Sequence, residues 1–287
     1  MTAGEALRKY TSILQQAGIE EAADEAMVLL CHVLRLGKAE IFAQPERTLS
    51  GGELTLLDGL TARRLRHEPS AYITGHREFF GLDLLVDPRV LIPRPETETL
   101  VEAAIEFGRS WVARNQRRML AADIGTGSGA IAIALAAHIP QARVYAVDIS
   151  PGALDVATFN VRRHGLDDQI ILMRGNLLEP IDQKMDLIVA NLPYIWGGEL
   201  AGLQPEVYLH EPMVALDGGG RGTDVIEAML RQAPGKMAQG GALFLEIGAG
   251  QEERLISIVR DMLPGSGVTL FKDLAGIDRC MRIGYTG

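Results

Sequence analysis

The sequence predicts an α/β fold in which a doubly wound, mostly parallel seven-stranded sheet follows a small all-α N-terminal domain and a β-hairpin linker. Two observations support this prediction. Apolar residues recur at helical spacing through the first 70 residues, whereas strand-like and helix-like runs alternate from about residue 119 to the end. Such alternation is typical of a parallel sheet that is covered by helices on both faces.

Residues 1–70 are expected to form the helical domain. Apolar residues recur there at intervals of three and four, which places them on one helix face. The clearest such stripe contains Ala26, Leu29, Leu30, Val33 and Leu34. Gly37 and Pro45 interrupt the pattern, which restarts over 54–60, so we expect several short helices rather than one long helix.

Residues 71–95 are expected to form the β-hairpin linker. Aromatic and apolar residues dominate this segment, and Gly75 and Gly81 interrupt them in the way that is typical of a turn between two strands. A helical pattern begins at Glu96. We therefore place a second domain over residues 96–287.

The second domain is expected to build the sheet. Its strands are predicted near Ala121, Val144, Ile171, Leu187, Leu243, Leu270 and Ile283. Its later helices are predicted at about 129–138, 151–164, 222–238 and 251–263. Residues 195–220 lack clear periodicity, and a loop of that length in a compact domain is usually functional or mobile.

The composition is that of an ordinary globular protein with an excess of negative charge. Of the 287 residues, 47% are hydrophobic and 23% are charged, and the net charge is -9. This charge disfavours stable nucleic-acid binding, and no stretch reaches the roughly 18 apolar residues that span a membrane. Cys31 and Cys280 lie far apart and outside any Cys/His cluster. We therefore expect no metal site, no disulfide framework and a cytoplasmic location.

A glycine-rich loop, Asp123–Gly129, follows the first strand of the predicted sheet. Its spacing is GxGxG rather than the GxGxxG of dinucleotide sites, because Ala130 stands where the third glycine would be. Asp148 ends the next strand, where a carboxylate can accept hydrogen bonds from a ribose diol. The pattern predicts a nucleoside pocket without a phosphate cradle, which fits S-adenosylmethionine, although glycine-rich turns also occur as plain connections. The loop residues expected to bind this cofactor are Gly125, Thr126, Gly127, Ser128 and Gly129.

Asn176 and Leu177 follow the third strand of the sheet and are further candidates for cofactor binding. The Asn176 side chain is expected to meet the adenine amino group. The alternative is a plain turn, because asparagine favours turns in general.

The tetrapeptide Asn191–Tyr194, with the sequence NLPY, directly follows the fourth strand and should lie beside the glycine loop. The Asn191 side-chain carbonyl and the Leu192 backbone carbonyl can accept both hydrogens of a planar NH2 group and aim its nitrogen at a methyl donor. Pro193 confines Leu192 to extended backbone, and Tyr194 offers a ring to the substrate. We predict that all four residues are catalytic and bind substrate, chiefly by positioning, and that Asn191 also contacts the cofactor. A strand followed by an ordinary turn is the alternative.

Several longer motifs accompany these segments. They are FFGL at 79–82, LIPRPETE at 91–98, the glycine loop, AVDIS at 146–150, NLPY, and blocks at 211–222 and 240–248. Together they resemble class I S-adenosylmethionine-dependent methyltransferases, and more narrowly the peptide chain release factor glutamine methyltransferases. The resemblance covers nearly the whole chain. It implies a Rossmann-like fold and a role in translation termination: methyl transfer to the side-chain nitrogen of the glutamine in the Gly-Gly-Gln motif of class 1 release factors.

The resemblance also bears on partners. Release factors are the partners that it implies, and we expect a monomer that does not associate with membranes. Arg94 lies between Pro93 and Pro95, which hold it in extended backbone, and it is a candidate substrate-binding residue. The alternative is that this segment simply starts a helix, with Pro95 in the first turn.

Position 192 departs from the usual Asn-Pro-Pro-Tyr of the resembled family. NLPY is instead typical of ribosomal RNA adenine dimethyltransferases, so an rRNA adenine N6-methyltransferase is an alternative. That alternative accounts neither for the LIPRPETE motif nor for the N-terminal helices. A glutamine methyltransferase that acts on a ribosomal protein is a second alternative, and a non-enzymatic S-adenosylmethionine sensor is a third.

Overall fold

The computed structural model describes residues 1–286, which fall into two compact units. The helical unit comprises residues 1–76 together with 204–210. The sheet unit comprises residues 77–203 and those from 211 onward. Within the described chain, no helix is both long and apolar enough to cross a membrane.

The helices of residues 1–286 are numbered along the chain. They are α1 (Ala3–Gln16), α2 (Ala22–Leu34), α3 (Lys38–Ala43), α4 (Gly51–Arg64), α5 (Ser70–Thr74), α6 (Glu96–Asn115), α7 (Ala130–His138), α8 (Pro151–Arg163), α9 (Pro205–His210), α10 (Asp224–Gln232) and α11 (Glu252–Met262). Single turns of 3₁₀ helix occupy 200–202, 213–215 and 233–235. The last of these turns contains Pro234, which explains why the helix predicted to run to 238 stops at Gln232.

The strands are numbered in the same way. They are β1 (His76–Phe79), β2 (Leu82–Leu85), β3 (Met119–Ile124), β4 (Ala142–Asp148), β5 (Ile170–Arg174), β6 (Met185–Ala190), β7 (Met237–Glu246), β8 (Gly267–Lys272) and β9 (Asp278–Gly284). Strands β1 and β2 form a two-stranded hairpin, and the other seven form one sheet.

The helical unit has its own apolar core. The stripe predicted on α2 is buried and packs with Tyr10, Leu14 and Leu57 from the neighbouring helices. Capping boxes begin α1 at Thr2 and α4 at Ser50, where each side chain accepts a hydrogen bond from the third helical N–H. The helical prediction for this part of the chain is therefore confirmed.

The large sheet confirms the predicted architecture, because each of its seven strands contains the residue at which a strand was expected. Its order is β5-β4-β3-β6-β7-β9-β8, and the first five strands are parallel. Strand β9 runs antiparallel to both β7 and β8. Two apolar cores, one including Phe244 and one including Leu243, pack the helices of this unit against the sheet. The fold is thus Rossmann-like and doubly wound.

A buried asparagine attaches the hairpin to α8 and to the glycine loop. The Asn160 side chain on α8 accepts a hydrogen bond from the Leu85 N–H at 2.8 Å and donates to the Leu85 and Ser128 carbonyls. One side chain therefore connects the hairpin, α8 and the glycine loop.

The segment 195–220, predicted as a long loop, contains short helices and has ends that pair with each other. Ile195 and Asp217 form a parallel bridge. The Ile195 N–H donates to the Leu216 carbonyl, and the Gly218 N–H donates to the Ile195 carbonyl at 2.8 Å. The two ends of the segment therefore lie side by side, at Ile195 and at residues 216–218.

Candidate active site

A cavity of about 430 Å³ lies at the carboxyl ends of β3, β4, β5 and β6. Its size is within the range of small-molecule sites, and its position is the one that open α/β sheets use for ligands. The predicted site residues that line it are Gly125, Gly127, Asp148, Asn176, Leu177, Asn191, Leu192 and Pro193. The predicted residues outside this lining are Arg94, Thr126, Ser128, Gly129 and Tyr194.

The glycine loop has a shape that requires glycine. Gly125, Gly127 and Gly129 have φ of 75°, 55° and 84°, which side chains with a Cβ rarely adopt. The N–H groups of Gly125 and Thr126 both donate to the Val147 carbonyl at 2.9 Å. The turn between β3 and α7 is therefore fixed against the end of β4.

Asp148 is held by the backbone on two sides. Its Oδ2 accepts from the Gly127 N–H and its Oδ1 from the Ser150 N–H, both at 2.9 Å. Burial raises the pKa of Asp148, and these hydrogen bonds partly oppose that effect. A carboxylate has lone pairs beyond these two bonds, so Asp148 can also accept from a diol in the cavity that it lines.

The loop contains a second acid, Asp123, which is buried and lies outside the cavity lining. Its Oδ2 accepts from the Thr126 hydroxyl at 2.6 Å and from the Ala132 N–H at 3.0 Å. Its Oδ1 is buried without a hydrogen-bond partner among residues 1–286. Burial raises the pKa of Asp123 to about 7. The Thr126 hydroxyl therefore makes an internal contact, and the binding of the cofactor by Thr126 stays a prediction.

The space around the loop suits a nucleoside with a small charged group. A Cβ added to Gly127 would lie 3.9 Å from the Gly125 carbonyl oxygen and within 4 Å of no other atom of residues 1–286 beyond its chain neighbours. A ligand can therefore approach the backbone closely at this position. Ile149, 55% exposed, offers an apolar surface at the cavity next to Asp148. These residues fit S-adenosylmethionine, which presents a ribose and an adenine but no phosphate.

Asn191 and Leu192 bring two unused acceptors to the same cavity. The Asn191 Nδ2 donates to the Thr97 hydroxyl oxygen at 3.1 Å, so the Asn191 Oδ1 is not used in this contact. Within residues 1–286, neither this Oδ1 nor the Leu192 carbonyl accepts a hydrogen bond. Pro193 follows directly and restrains the Leu192 backbone. Both residues line the cavity and lie beside Gly125 of the glycine loop, and the use of their carbonyls as acceptors for a substrate stays a prediction.

The Leu192 side chain has a separate role in packing. It is buried within the apolar core that includes Ile124 and Leu243. Its Cδ2 lies 3.2 Å from the place that a Cβ on Gly125 would occupy. The leucine therefore fills the space that the first glycine of the loop leaves free.

Tyr194 lies outside the cavity lining and contacts two polar side chains, Glu246 and Gln251. Its hydroxyl donates to Glu246 Oε1 at 3.2 Å, and its backbone carbonyl accepts from the Gln251 side chain at 2.8 Å. Burial raises the pKa of Tyr194, and the neighbouring Glu246 adds to this effect. The ring contact with substrate that the sequence suggested for Tyr194 stays a prediction.

Arg94 pairs with a buried carboxylate. It forms an ion pair with Glu211, which also accepts from the Ile92 N–H at 3.1 Å. Glu211 directly precedes Pro212, Met213 and Val214, which line the cavity. Arg94 thus connects the segment before α6 to one wall of the cavity, and its direct contact with substrate stays a prediction.

Three residues of this site were missed as site residues: Thr97, Glu246 and Glu211. Glu246 ends β7, the strand next to β6, so the rule that singled out Asn191 could have found it. Thr97 lies in the first turn of α6 and Glu211 in the aperiodic segment, and neither position carries a local signal for the contact that it makes.

Family models and known relatives agree on the type of protein. A family model described as "PrmC N-terminal domain" matches residues 5–75, and one described as "Methyltransferase small domain" matches residues 110–221. Among solved structures, a methyltransferase from Pyrococcus furiosus aligns with a TM-score of 0.51 at 18% identity, over 80% of this chain and all of that chain. This last likeness concerns the fold alone.

Two curated relatives bear the same name, release factor glutamine methyltransferase. The protein from Geobacter sulfurreducens is 42% identical over 85% of this chain and 84% of its own length. The protein from Moorella thermoacetica is 40% identical over 98% of this chain and 97% of its own length. Because this similarity extends through both units, the chain belongs to the release factor glutamine methyltransferase family.

Proposed function

We propose that this enzyme transfers a methyl group from S-adenosylmethionine to the side-chain amide nitrogen of the glutamine in the Gly-Gly-Gln motif of class 1 release factors. The observation that carries the proposal is the pair of unused acceptors, Asn191 Oδ1 and the Leu192 carbonyl, beside a cavity suited to a nucleoside. We place the reaction in the cytoplasm and expect the enzyme to act as a monomer.

The cofactor would be held by the glycine loop and the residues opposite it. Asp148 would accept from the ribose, Asn176 and Leu177 would lie at the adenine, and Gly125 and Gly127 would allow the backbone to approach. When bound, S-adenosylmethionine supplies an electrophilic methyl carbon on a sulfonium.

The chain's part in the chemistry is to orient the acceptor. An amide nitrogen is a weak nucleophile because its lone pair is delocalised. Asn191 Oδ1 and the Leu192 carbonyl would accept its two hydrogens and so fix the nitrogen's third direction toward the cofactor. Positioning of this kind can lower a barrier by about 7–11 kcal/mol. The nitrogen would gain the methyl group and release one of its two protons, and the electron pair of the broken carbon–sulfur bond would stay on the cofactor sulfur as a neutral thioether.

The charges around the cavity favour a protein acceptor over RNA. Among the described lining residues Arg89 is the one cation, and it already pairs with Asp87 at 2.6 Å and with Asp155. Asp148 and Asp217 add negative charge to the same lining. A phosphodiester backbone would find little attraction here. Met213 and Val214, 40% and 60% exposed, instead offer an apolar rim to a peptide loop.

The test is methyl transfer from labelled S-adenosylmethionine to three acceptors in parallel. They are a class 1 release factor, the same factor with the motif glutamine changed to glutamate, and ribosomal RNA. We expect label in the first alone, because glutamate would set an oxygen against two acceptors, and such mismatches can discriminate by roughly 10⁴–10⁵. Label in the RNA would overturn the proposal.

The variant Asn191→Ala tests the role of the acceptor pair. Turnover should fall by at least about a hundredfold, as for loss of a positioning contact, while cofactor affinity measured by calorimetry stays within a few-fold. Asn115→Ala, at the exposed end of α6, is the matched control and should behave like the wild type. Turnover of Asn191→Ala close to the wild-type value would refute this role.

A further inference from the structure

Three polar side chains form a hydrogen-bonded chain from the candidate active site into the interior of the sheet unit. Asn191 Nδ2 lies 3.1 Å from the Thr97 hydroxyl oxygen, and that oxygen lies 2.6 Å from Glu246 Oε2. Glu246 is 1% exposed and Thr97 is 4% exposed. The direction of each hydrogen bond in this chain is therefore set by the three side chains and not by bulk water.

The Glu246 carboxylate fixes the direction of the hydrogen bonds that join these side chains. Glu246 accepts from the Thr97 hydroxyl through one oxygen and from the Tyr194 hydroxyl through the other, at 3.2 Å. Burial raises the pKa of Glu246, while these two donors stabilise its charged form. In its ionised form, which the hydroxyl donors of Thr97 and Tyr194 and the charge of Arg279 stabilise, Glu246 can only accept, so the single hydroxyl hydrogen of Thr97 is directed to it.

The Thr97 oxygen can then only accept from Asn191. If the Asn191 amide were turned over, its Oδ1 would face the Thr97 oxygen with no hydrogen between them, since that hydrogen lies on the bond to Glu246. Two acceptor oxygens in contact repel, and the Asn191 Oδ1 would receive no hydrogen there. The Asn191 amide is thus held with its Nδ2 toward Thr97 and its Oδ1 available to accept a hydrogen bond.

We propose that Thr97 and Glu246 are positioning residues that fix the orientation of the Asn191 amide and thereby make the site select an NH2 group over a carboxylate oxygen. This inference rests on the proposed function, because it takes the acceptor to be a glutamine side chain. Neither residue lines the cavity, and both act through Asn191.

The reverse orientation would invert the selectivity. An Asn191 amide with its Nδ2 toward the acceptor would present hydrogens to the NH2 of glutamine, which repels them, and to the oxygen of glutamate, which accepts them. The choice between glutamine and glutamate therefore depends on a threonine hydroxyl that touches neither.

The experiment compares Thr97→Val with Thr97→Ser. Valine keeps the shape and removes the hydroxyl, whereas serine keeps the hydroxyl and removes a methyl group. For each enzyme we would measure the KM for a release factor and the inhibition constant of the same factor with the motif glutamine changed to glutamate. The ratio of the inhibition constant to the KM is independent of the folded fraction, so a loss of stability does not imitate the predicted effect.

We expect Thr97→Val to lower this ratio, in favour of glutamate, by at least about tenfold, the effect of one hydrogen bond, and to lower kcat with little change in cofactor affinity. Thr97→Ser should keep the ratio within about threefold of the wild-type value, because the hydroxyl is restored. Thr223→Val is the matched control: Thr223 is also buried and donates to a glutamate, Glu227, but has no bond to Asn191. Its ratio should be unchanged.

Two results would overturn the inference while leaving the proposed function intact. One is an unchanged ratio in Thr97→Val, and the other is an equal fall in Thr97→Val and Thr97→Ser, which would assign the effect to packing. Failure of the wild-type enzyme to methylate the release factor would instead refute the proposed function itself.

Discussion

At the scale of single residues, the site contains two acids that the backbone holds in different ways. Asp148 accepts two N–H groups and lines the cavity, whereas Asp123 accepts from Thr126 and Ala132 and leaves one oxygen buried and unpaired within residues 1–286. The first arrangement leaves lone pairs available to a ligand. The second favours a protonated carboxyl, so the two acids should respond differently to substitution.

Asp148→Ala should weaken the binding of S-adenosylmethionine by about 1–3 kcal/mol, because charge-assisted hydrogen bonds to the ribose are lost. Calorimetric titration measures this directly. Asp168→Ala, an exposed acid in the loop before β5, is the control and should bind as the wild type does. An unchanged affinity in Asp148→Ala would show that the ribose lies elsewhere.

Asp123→Asn should change how stability depends on pH. Burial raises the pKa of Asp123 from the ordinary aspartate value of 3.8 to about 7 in the folded protein, so between these values the folded state binds more protons than the unfolded state. Asp123 therefore stabilises the fold most at acidic pH, and its contribution falls by up to about 1.4 kcal/mol per pH unit as the pH rises toward 7.

Asparagine mimics the protonated acid and should remove this slope. Urea unfolding of both proteins at several pH values tests the expectation: the difference in unfolding free energy should shift in favour of Asp123→Asn as the pH rises from about 4 to about 7, and then level off. A difference that is constant over this range would mean that Asp123 is ionised throughout.

At the scale of elements, the backbone and the side chain of Leu192, in the turn after β6, have different roles. The Leu192 carbonyl is the second unused acceptor of the site, while the Leu192 side chain is buried against the glycine loop. With leucine at this position, the carbonyl is kept and the side chain makes an apolar contact with the glycine loop.

Leu192→Ala should accordingly reduce stability far more than chemistry. Removing a buried leucine side chain costs about 2–5 kcal/mol, measured as a fall in the free energy of unfolding in urea. Methyl transfer per folded molecule should stay within a few-fold, because the carbonyl remains. Leu274→Ala, at a fully exposed leucine, should change neither quantity. A collapse of turnover in fully folded Leu192→Ala would assign the side chain a role in the reaction.

The elements also show what the sequence could and could not predict. Strand positions, the glycine loop, Asp148 and the Asn191 turn follow from local patterns, because apolar periodicity and strand ends are encoded within a few residues. The contact between Thr97 and Asn191 joins residues that are 94 positions apart, and the ion pair of Arg94 with Glu211 joins residues 117 apart. Such pairings depend on the packing of α6 and of the segment after residue 195, which no local pattern specifies.

At the scale of the whole molecule, the negative charge of the protein disfavours RNA as an acceptor and so favours a release factor. The chain carries a net charge of -9, and the cavity lining of the sheet unit adds two acids to one paired arginine. A polyanion is therefore repelled at long range and gains little at the site.

Excess ribosomal RNA should leave the methylation of a release factor unchanged within about twofold at low salt, where electrostatic competition is strongest. Initial rates with and without RNA measure this, and an equal mass of neutral dextran controls for crowding. Inhibition that grows with RNA and disappears as salt is added would instead reveal an RNA-binding surface on this acidic protein.

The paired ends of the segment 195–220 have a consequence for how the protein can vary. Because Ile195 bonds to Leu216 and Gly218 where the chain leaves and returns, the two ends are held together whatever lies between them. The entropy of closing such a loop grows only slowly with its length. Residues can therefore be inserted or deleted around 198–203 at small thermodynamic cost while Asn191 stays in place. The segment is a site at which relatives can differ in length without rebuilding the catalytic turn.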